Sequence, residues 1–458
     1  MKVIICGAGQ IGAGIAKYLS QEQTDVVVID NNPENINKIS DSLDLQAILG
    51  NPTHPPVLEH AGIREAQLII AVTPSDETNI LTCQIAHSLF DVPLKIAYLK
   101  NQVFFDPTWA SLFSLQNIPI DVLISPEREI AHTISRTIQI SGAFDLIPLG
   151  EDQIRVVGVR ASELSSLIHV PLRQLNSLFP DLYLNILIIV RGEKLILGGP
   201  DEEILPGDDV YFISPTEQVL RIMEAFGYEK RSSRNILILG AGSIGISLAR
   251  ELEQTVSDIH IKLIEVHRDR AIEAAQSLEK AVVLCGDALD IEILNEANIA
   301  HTESIVAVTN DNEVNILASL LGKRNGAGQA ITLINNASYT PLVTPLGIDA
   351  VISPGDITIS SILHHVRRGR IRSVYTLREG LGELMEAEVY ESSPSVNCTV
   401  RSLNNPNKYV IGAVLRDGQV VMAHDTLVLR TGDLVILFAK SDALREAESL
   451  FARNTDYF

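Results

Sequence analysis

Short apolar runs alternate with amphipathic stretches through much of the chain, and the alternation occurs twice. Residues 2–6 (KVIIC) and 25–29 (DVVVI) are apolar runs of strand length, and residues 11–19 between them place Ile11, Ile15 and Leu19 on one helical face. Further strands are predicted at 47–49, 68–72 and 95–99, with helices at 55–61 and 77–89. Consecutive apolar positions imply strands buried on both faces, so their alternation with helices predicts a parallel sheet covered on both sides. The order returns with strands at 235–239, 261–264, 281–284, 304–308 and 330–334, and helices at 244–252, 268–278 and 313–323.

The texture changes after each block. Short strands at 153–159, 184–191, 193–197 and 209–214, broken by Gly and Pro turns, accompany a brief helix at 172–177. A second set lies at 384–390, 409–416, 419–423 and 433–438. The predicted architecture is α/β: two doubly wound parallel-sheet domains at 1–125 and 233–355, followed by small β-rich α+β domains at 140–227 and 372–455. The polar, basic stretch GYEKRSSR at 227–234 reads as an exposed linker between the halves.

Register ties the halves together. Gly7 and Gly240 lie 233 residues apart, Asp30 and Glu265 235, and both Asn51 with Asp287 and Thr73 with Thr309 236. Ile124-Ser125-Pro126 matches Ile352-Ser353-Pro354, and Pro206-Gly207-Asp208 matches Thr431-Gly432-Asp433. A unit this long indicates tandem duplication of domains, not a solenoid. In the small domains the Gly-Asp turns suit the entry to a core strand as well as they suit a ligand.

A formal charge of −21 argues against a nucleic-acid binder, which needs a basic face, and against adhesion to anionic lipid. No apolar run reaches 18 residues; the nearest, LYLNILIIV at 182–190, contains Asn185, so no direct membrane insertion is expected. Met1-Lys2 leads straight into the first predicted strand without a signal peptide, which makes cytoplasmic residence the expectation. Cys6, Cys83, Cys285 and Cys398 are widely spaced without a CxxC pair. Cys6 and Cys285, in or beside apolar runs, read as buried small hydrophobes, and neither disulfide nor metal is inferred.

Candidate chemistry follows the first strand of each large domain. In CGAGQIG, Gly7 permits the tight turn, Gly9 lets the backbone approach a pyrophosphate, and Gly12 lets the helix pack on the sheet, as in Rossmann-like domains. Ala8 completes the turn, and the N–H groups of Gln10 and Ile11 open a helix whose positive end attracts phosphate. Gly240, Ala241, Gly242, Ser243, Ile244 and Gly245 repeat the arrangement in LGAGSIG. Asp30 and Glu265, at the tips of the second strands, suit the hydroxyls of an adenosine ribose and repel a 2′-phosphate, favouring NAD(H) or an adenine nucleotide over NADP(H). Arg268 and Arg270 offer Glu265 an ion pair, or phosphate a contact. Asn51 and Asp287 follow the third strands. Thr73, Pro74 and Asp76, with Thr309 and Asn310, follow the fourth, where Ser75/Asp76 and Asn310/Asp311 also suit helix caps.

In order, spacing and duplication, GAGQIG…Asp30…Gly50-Asn51…Thr73-x-x-Asp76-Glu77-x-Asn79 and GAGSIG…Glu265…Gly286-Asp287…Thr309-x-x-Asn312-Glu313-x-Asn315 resemble the RCK (KTN) domains that regulate potassium channels and transporters. The tandem layout is similar to that of the peripheral subunits of bacterial Trk potassium uptake systems. The resemblance implies small domains of the RCK C-terminal type, and NAD(H) in the first unit with either NAD(H) or an adenine nucleotide such as ATP or ADP in the second. It also implies a homo-oligomeric ring, expected to be a tetramer, held on the inner face of the cell membrane by a transmembrane Trk potassium-translocating subunit. Two departures stand out: Gly50-Asn51 where Gly-Asp is common, and Tyr98, with Asn335 or Asn336, where a phosphate-binding arginine is often found. Tyr98 is therefore counted among the candidate site residues.

The competing class is a soluble NAD-dependent oxidoreductase. It needs an acid or base beside the nicotinamide, yet the small domains contribute only His169 and His424 as histidines. Ligand sensing without turnover is the expectation. The one concentrated basic patch, residues 364–372 (HHVRRGRIR), suits a helix end, an acidic partner surface, or nucleotide from a neighbouring subunit.

Overall fold

The computed structural model describes residues 1–21, 24–114, 116–192, 194–228, 233–366, 371–377 and 382–452. Residues 229–232 of the linker, and Arg367, Arg368, Gly369 and Arg370 of the basic patch, lie outside these.

The first block runs β1 (Lys2–Cys6), α1 (Gln10–Gln21), β2 (Asp25–Asp30), α2 (Pro33–Ser42), β3 (Gln46–Leu49), α3 (Pro55–His60), β4 (Leu68–Ala71), α4 (Asp76–Phe90), β5 (Leu94–Tyr98) and β6 (Val122–Ile124). Its strands are all parallel, in the order β3-β2-β1-β4-β5-β6. Alternate side chains enter two cores. Val3, Ile5, Val28 and Ile70 meet Ile15 and Leu19 of α1 on one face, while Ile4, Val27, Ile29 and Ile69 meet Leu58 and Ala86 on the other. Burial on both sides is why these strands lack polar alternation.

Each Ser-Pro pair opens a 13-residue helix: α5 (Pro126–Ile138) and, in the second half, α13 (Pro354–Val366). Proline suits a first helical turn because the N–H it lacks would have no intrahelical partner there. Ile362, Leu363 and Val366 of α13 enter the first sheet's core beside Val3 and Ile15, and Ile359 packs where a side chain on Gly14 would stand. Residues 1–129 and 354–366 accordingly form one compact unit, and residues 130–353 and 367–458 another. From Ile130 onward α5 belongs to the second unit, with Ile130, Ile134 and Ile138 buried.

In the second unit a first antiparallel sheet comprises β7 (Ala143–Leu149), β8 (Ile154–Arg160), β9 (Asn185–Arg191), β10 (Lys194–Leu197) and β11 (Asp209–Pro215), with α6 (Leu172–Leu178) and α7 (Val219–Ala225). Next come β12 (Asn235–Leu239), α8 (Ser243–Thr255), β13 (His260–Glu265), α9 (Arg268–Ser277), β14 (Val282–Cys285), α10 (Ile291–Glu296), β15 (Ser304–Ala307), α11 (Asn312–Arg324), β16 (Gln329–Leu333), α12 (Thr340–Val343) and β17 (Ala350–Ile352). They form a parallel sheet in the order β14-β13-β12-β15-β16-β17, the first sheet repeated. His132 of α5 meets Glu251 of α8 there, Nδ1 to Oε1 at 2.6 Å.

A second antiparallel sheet comprises β18 (Ile371–Leu377), β19 (Gly382–Glu388), β20 (Tyr409–Arg416), β21 (Gln419–Met422) and β22 (Leu434–Lys440), with α14 (Val400–Leu403) and α15 (Leu444–Ser449). The orders β10-β9-β11-β8-β7 and β18-β19-β22-β20-β21 are the same order twice. The two sheets share a core in which Ile154, Leu187 and Ile213 join Leu384, Ile436 and Phe438. Asn185, the polar break in the longest apolar run, bridges them through Nδ2 donors to the carbonyls of Gly412 and Ala423, each at 2.8 Å.

The Gly-Asp turns resolve into a repeated clamp. Asp208 accepts from Arg191 at 2.9 and 2.8 Å and from the Leu205 N–H at 2.8 Å. Asp433 accepts from Arg416 at 2.8 and 2.7 Å and from the Arg430 N–H at 2.7 Å. Gly207 and Gly432 precede them at φ +86° and +87°, so the turn needs glycine while the aspartate locks it. Asp433→Asn keeps the shape but loses the charge. It is expected to destabilise the protein by about 2 kcal/mol, seen as a lower melting temperature with nucleotide affinity unchanged.

Cys6 and Cys83 are buried, and burial raises both thiols, Cys83 to about 12, so neither is a thiolate near neutrality. Cys285 departs from expectation: it is exposed, because β14 is an edge strand whose Val282 is exposed as well. Among the described residues no helix is long and apolar enough to cross a membrane.

Candidate nucleotide-binding clefts

Both parallel sheets reverse strand order beside their first strand, between β1 and β4 and between β12 and β15, and the carboxyl ends of those strands frame a crevice. The glycines after β1 have separate tasks. Gly7 has φ +113° and donates its N–H to the Ile29 carbonyl at 2.8 Å. A Cβ on Gly12 would lie 1.8 Å from the Gly7 oxygen, whereas one on Gly9 would meet no heavy atom within 4 Å. Two glycines therefore build the turn, and the third leaves space above the start of α1. Gly240 at φ +103°, Gly245 with a Cβ 2.0 Å from the Gly240 oxygen, and open Gly242 repeat the pattern. Gln10 with Ile11, and Ser243 with Ile244, then begin the helices whose first N–H groups lack intrahelical partners.

The acids anchor these loops. Asp30 is nearly buried; its Oδ2 accepts from the Ala8 N–H at 2.6 Å and its Oδ1 from the Asn32 N–H at 2.7 Å. Glu265 accepts from the Ala241 and His267 N–H groups, each at 3.0 Å. A carboxylate has about four acceptor positions, so each acid can still take a ribose hydroxyl. Glu265 is held by backbone donors, and Arg268 and Arg270 are exposed.

Asn51 accepts from the Thr53 N–H at 3.0 Å and Asp287 from the Leu289 N–H at 2.9 Å, so the change from Asp to Asn preserves this turn. Beyond β4, the Asn79 side chain accepts from the Thr73 N–H and hydroxyl at 2.9 and 2.7 Å and donates to the Thr73 and Tyr98 carbonyls at 2.9 and 2.8 Å. Asn315 does the same for Thr309 and Leu333. These fully buried asparagines fix neighbouring strand ends. They stand outside the predicted site set, although the repeated Thr-x-x-x-x-x-Asn spacing contains them.

Asp76 accepts from the Lys100 and Asn101 N–H groups, each at 2.9 Å, thereby holding the segment after β5; Asn312 accepts from the Asn335 N–H at 2.8 Å. Ser75 caps α4 through Thr78 and Asp311 caps α11 through Val314, while Pro74 and Asn310 are exposed at the rim. Tyr98 is almost buried, and burial, followed by Glu127 and Asp76, pushes its phenol up to about 12. A cation does stand near the end of β5: Lys100 Nζ lies 5.9 Å from the Tyr98 ring centroid.

The TrkA-N domain family matches residues 3–126 and 236–354, and the TrkA-C domain family matches residues 384–452. The chain is 42% identical over 458 residues to the Trk system potassium uptake protein TrkA of Azorhizobium caulinodans, with 100% of both chains covered. This chain belongs to the TrkA family. The TrkA protein of Halomonas elongata is 37% identical, again over 100% of both chains, and that of Vibrio alginolyticus 35% over 98% of both. Among solved structures, the GsuK RCK domain aligns at TM-score 0.60 and 17% identity, covering 98% of this chain and 95% of that one. A GsuK channel bound to NAD aligns at 0.59 and 16%, covering 98% and 78%. These alignments show the RCK fold expected from the tandem motifs. The TrkA relatives are named as potassium uptake proteins, not enzymes, in keeping with the non-catalytic reading.

Proposed function

We propose that this TrkA-family chain is a cytosolic regulatory subunit that senses nucleotides and gates a transmembrane Trk-type potassium-translocating subunit. Its first cleft takes NAD(H), and its second takes NAD(H) or an adenine nucleotide such as ATP or ADP. The observation that carries this reading is the duplicated cleft, in which an open glycine faces a helix start beside a loop-anchoring carboxylate. Asp30 and Glu265 favour a ribose without a 2′-phosphate. The subunit assembles as a homo-oligomeric ring, a tetramer, at the inner membrane face through its partner.

A bound nucleotide shifts transport only through unequal affinity for two arrangements of the protein, a coupling of about 1–3 kcal/mol. Ser125-Pro126 and Ser353-Pro354, with Gly227, are the proposed hinges. The test is affinity capture of the tagged protein from gently solubilised native membranes, with and without NADH or ATP. Recovery of a potassium-translocating membrane protein is expected. Recovery of none would contradict the regulatory reading.

A further inference from the structure

If NAD(H) occupies the first cleft as proposed, Asp30 at the end of β2 places the adenosine half over β1–β3. The nicotinamide half then extends over the carboxyl ends of β4–β6. Four titratable side chains converge there: Asp76, Tyr98, Lys100 and Glu127. Asp76 is committed to the Lys100 and Asn101 N–H groups. Arg128 bonds Gln102 at 2.8 Å and lies over Phe105. Two charges remain uncommitted. Among the described residues the buried Glu127 Oε2 has no hydrogen-bond partner and Lys100 makes no ion pair. Burial raises the Glu127 carboxyl, while its own backbone N–H and Lys100 act to keep it ionised.

The second half provides an internal comparison. Strand pairing and the Asp76/Asn312 contacts match Tyr98 with Leu333 and Lys100 with Asn335, and the Ser-Pro pairs match Glu127 with Gly355. Every titratable group of the first set has a neutral counterpart, although the glycine loop and ribose acid are kept in both. The charges are therefore not needed by the fold or by the adenosine half.

We propose that Glu127 and Lys100 form a subsite that reads the oxidation state of the nicotinamide in the first cleft. The oxidised ring carries a positive charge and the reduced ring is neutral. Glu127 favours the former, Lys100 opposes it, and their balance sets the NAD+/NADH preference. Tyr98 supplies the aromatic wall beneath them.

The test is calorimetry on the full-length protein with NAD+, NADH and ADP-ribose, which lacks the nicotinamide. Glu127→Gln should raise Kd(NAD+)/Kd(NADH) roughly fivefold, a screened single-charge effect, and Lys100→Met should lower it by a similar factor. ADP-ribose affinity should hold in both. The opposed signs distinguish charge reading from general damage, and the unaltered second cleft contributes equally throughout. An unchanged ratio in both variants, or equal losses for all three ligands, overturns the subsite. Wild-type protein that binds ADP-ribose but neither dinucleotide overturns the NAD(H) reading itself.

Discussion

Alanine at Gly12 is expected to unfold the first parallel-sheet domain. The new methyl carbon would stand 1.8 Å from the Gly7 carbonyl oxygen, and that oxygen cannot retreat. Gly7 is fixed by its φ of +113° and its bond to Ile29, and a side chain there would meet the Val72 carbonyl. Relief requires α1 to lift from the sheet, withdrawing Ile15 and Leu19 from a core in which both are essentially inaccessible. Withdrawing two such side chains costs about 4 kcal/mol, a large share of the stability of a domain this size. Thermal unfolding followed by circular dichroism should show an early transition that wild-type protein lacks. A melt superimposable on wild type would mean that the loop is not packed as described. Gly245→Ala, with its contact at 2.0 Å, should do the same in the second unit.

Alanine at Gly9 should leave the fold intact and abolish tight nucleotide binding. No heavy atom lies within 4 Å of its Cβ position, and Gly9 is not among the glycines with positive φ, so stability should change by no more than about 0.5 kcal/mol. The methyl group would occupy the space through which a pyrophosphate approaches the loop backbone. A loss of about 2–3 kcal/mol, or 30- to 150-fold in Kd, is expected from calorimetry. Gly242→Ala should do the same to the second cleft, where Gly242 has φ −75° and an open Cβ position. Unchanged affinity with an unchanged melt would remove the site assignment while sparing the fold. The contrast between Gly12 and Gly9 would separate a structural glycine from a proposed ligand-facing one within one motif.

The parallel sheets were legible because strands buried on both faces announce themselves by composition. Residues 2–6 and 235–239 are strands over the predicted spans. The edge strands β7 and β18 were not: β7 carries Asp145 and Pro148, and β18 continues the basic patch through Arg372. Proline is tolerated at an edge, where a ladder donor can be spared, so its presence weakens the sequence signal without removing the strand. Helix α2 is also absent from the predicted elements, though Asn32 accepts from the Glu34 N–H and Pro33 follows; only Ile36 and Ile39 bury, too few for a strong helical period. The Ser-Pro pairs lie at the expected domain ends, and they also begin helices whose burial involves partners more than a hundred residues away. α13 joins the first sheet's core, a relation that local periodicity cannot express.

At the candidate site, residue types and spacing pick out the two glycine loops but not the work of each side chain. Asp30 and Glu265 read as ribose acceptors, yet each also ties the glycine loop to its own strand end. Asp76 and Thr73 read as rim contacts, yet hydrogen bonding draws both into the strand-end scaffold. Lys100 lies outside the predicted set because the position expected to carry a cation, at the end of the fifth strand, falls on Tyr98, two residues earlier. Such pairings depend on distances that arise only once β4, β5 and the following turns lie side by side.

On the proposed function, nucleotide in these clefts changes potassium flux through a membrane partner. The direct test is potassium uptake into proteoliposomes containing the translocating subunit and this protein, with and without NADH or ATP, using wild type and the Gly9→Ala/Gly242→Ala double variant. A nucleotide-dependent flux is expected with wild type and a nucleotide-insensitive flux with the variant. Identical flux with and without nucleotide, under conditions where wild-type protein is shown to be saturated, would contradict it.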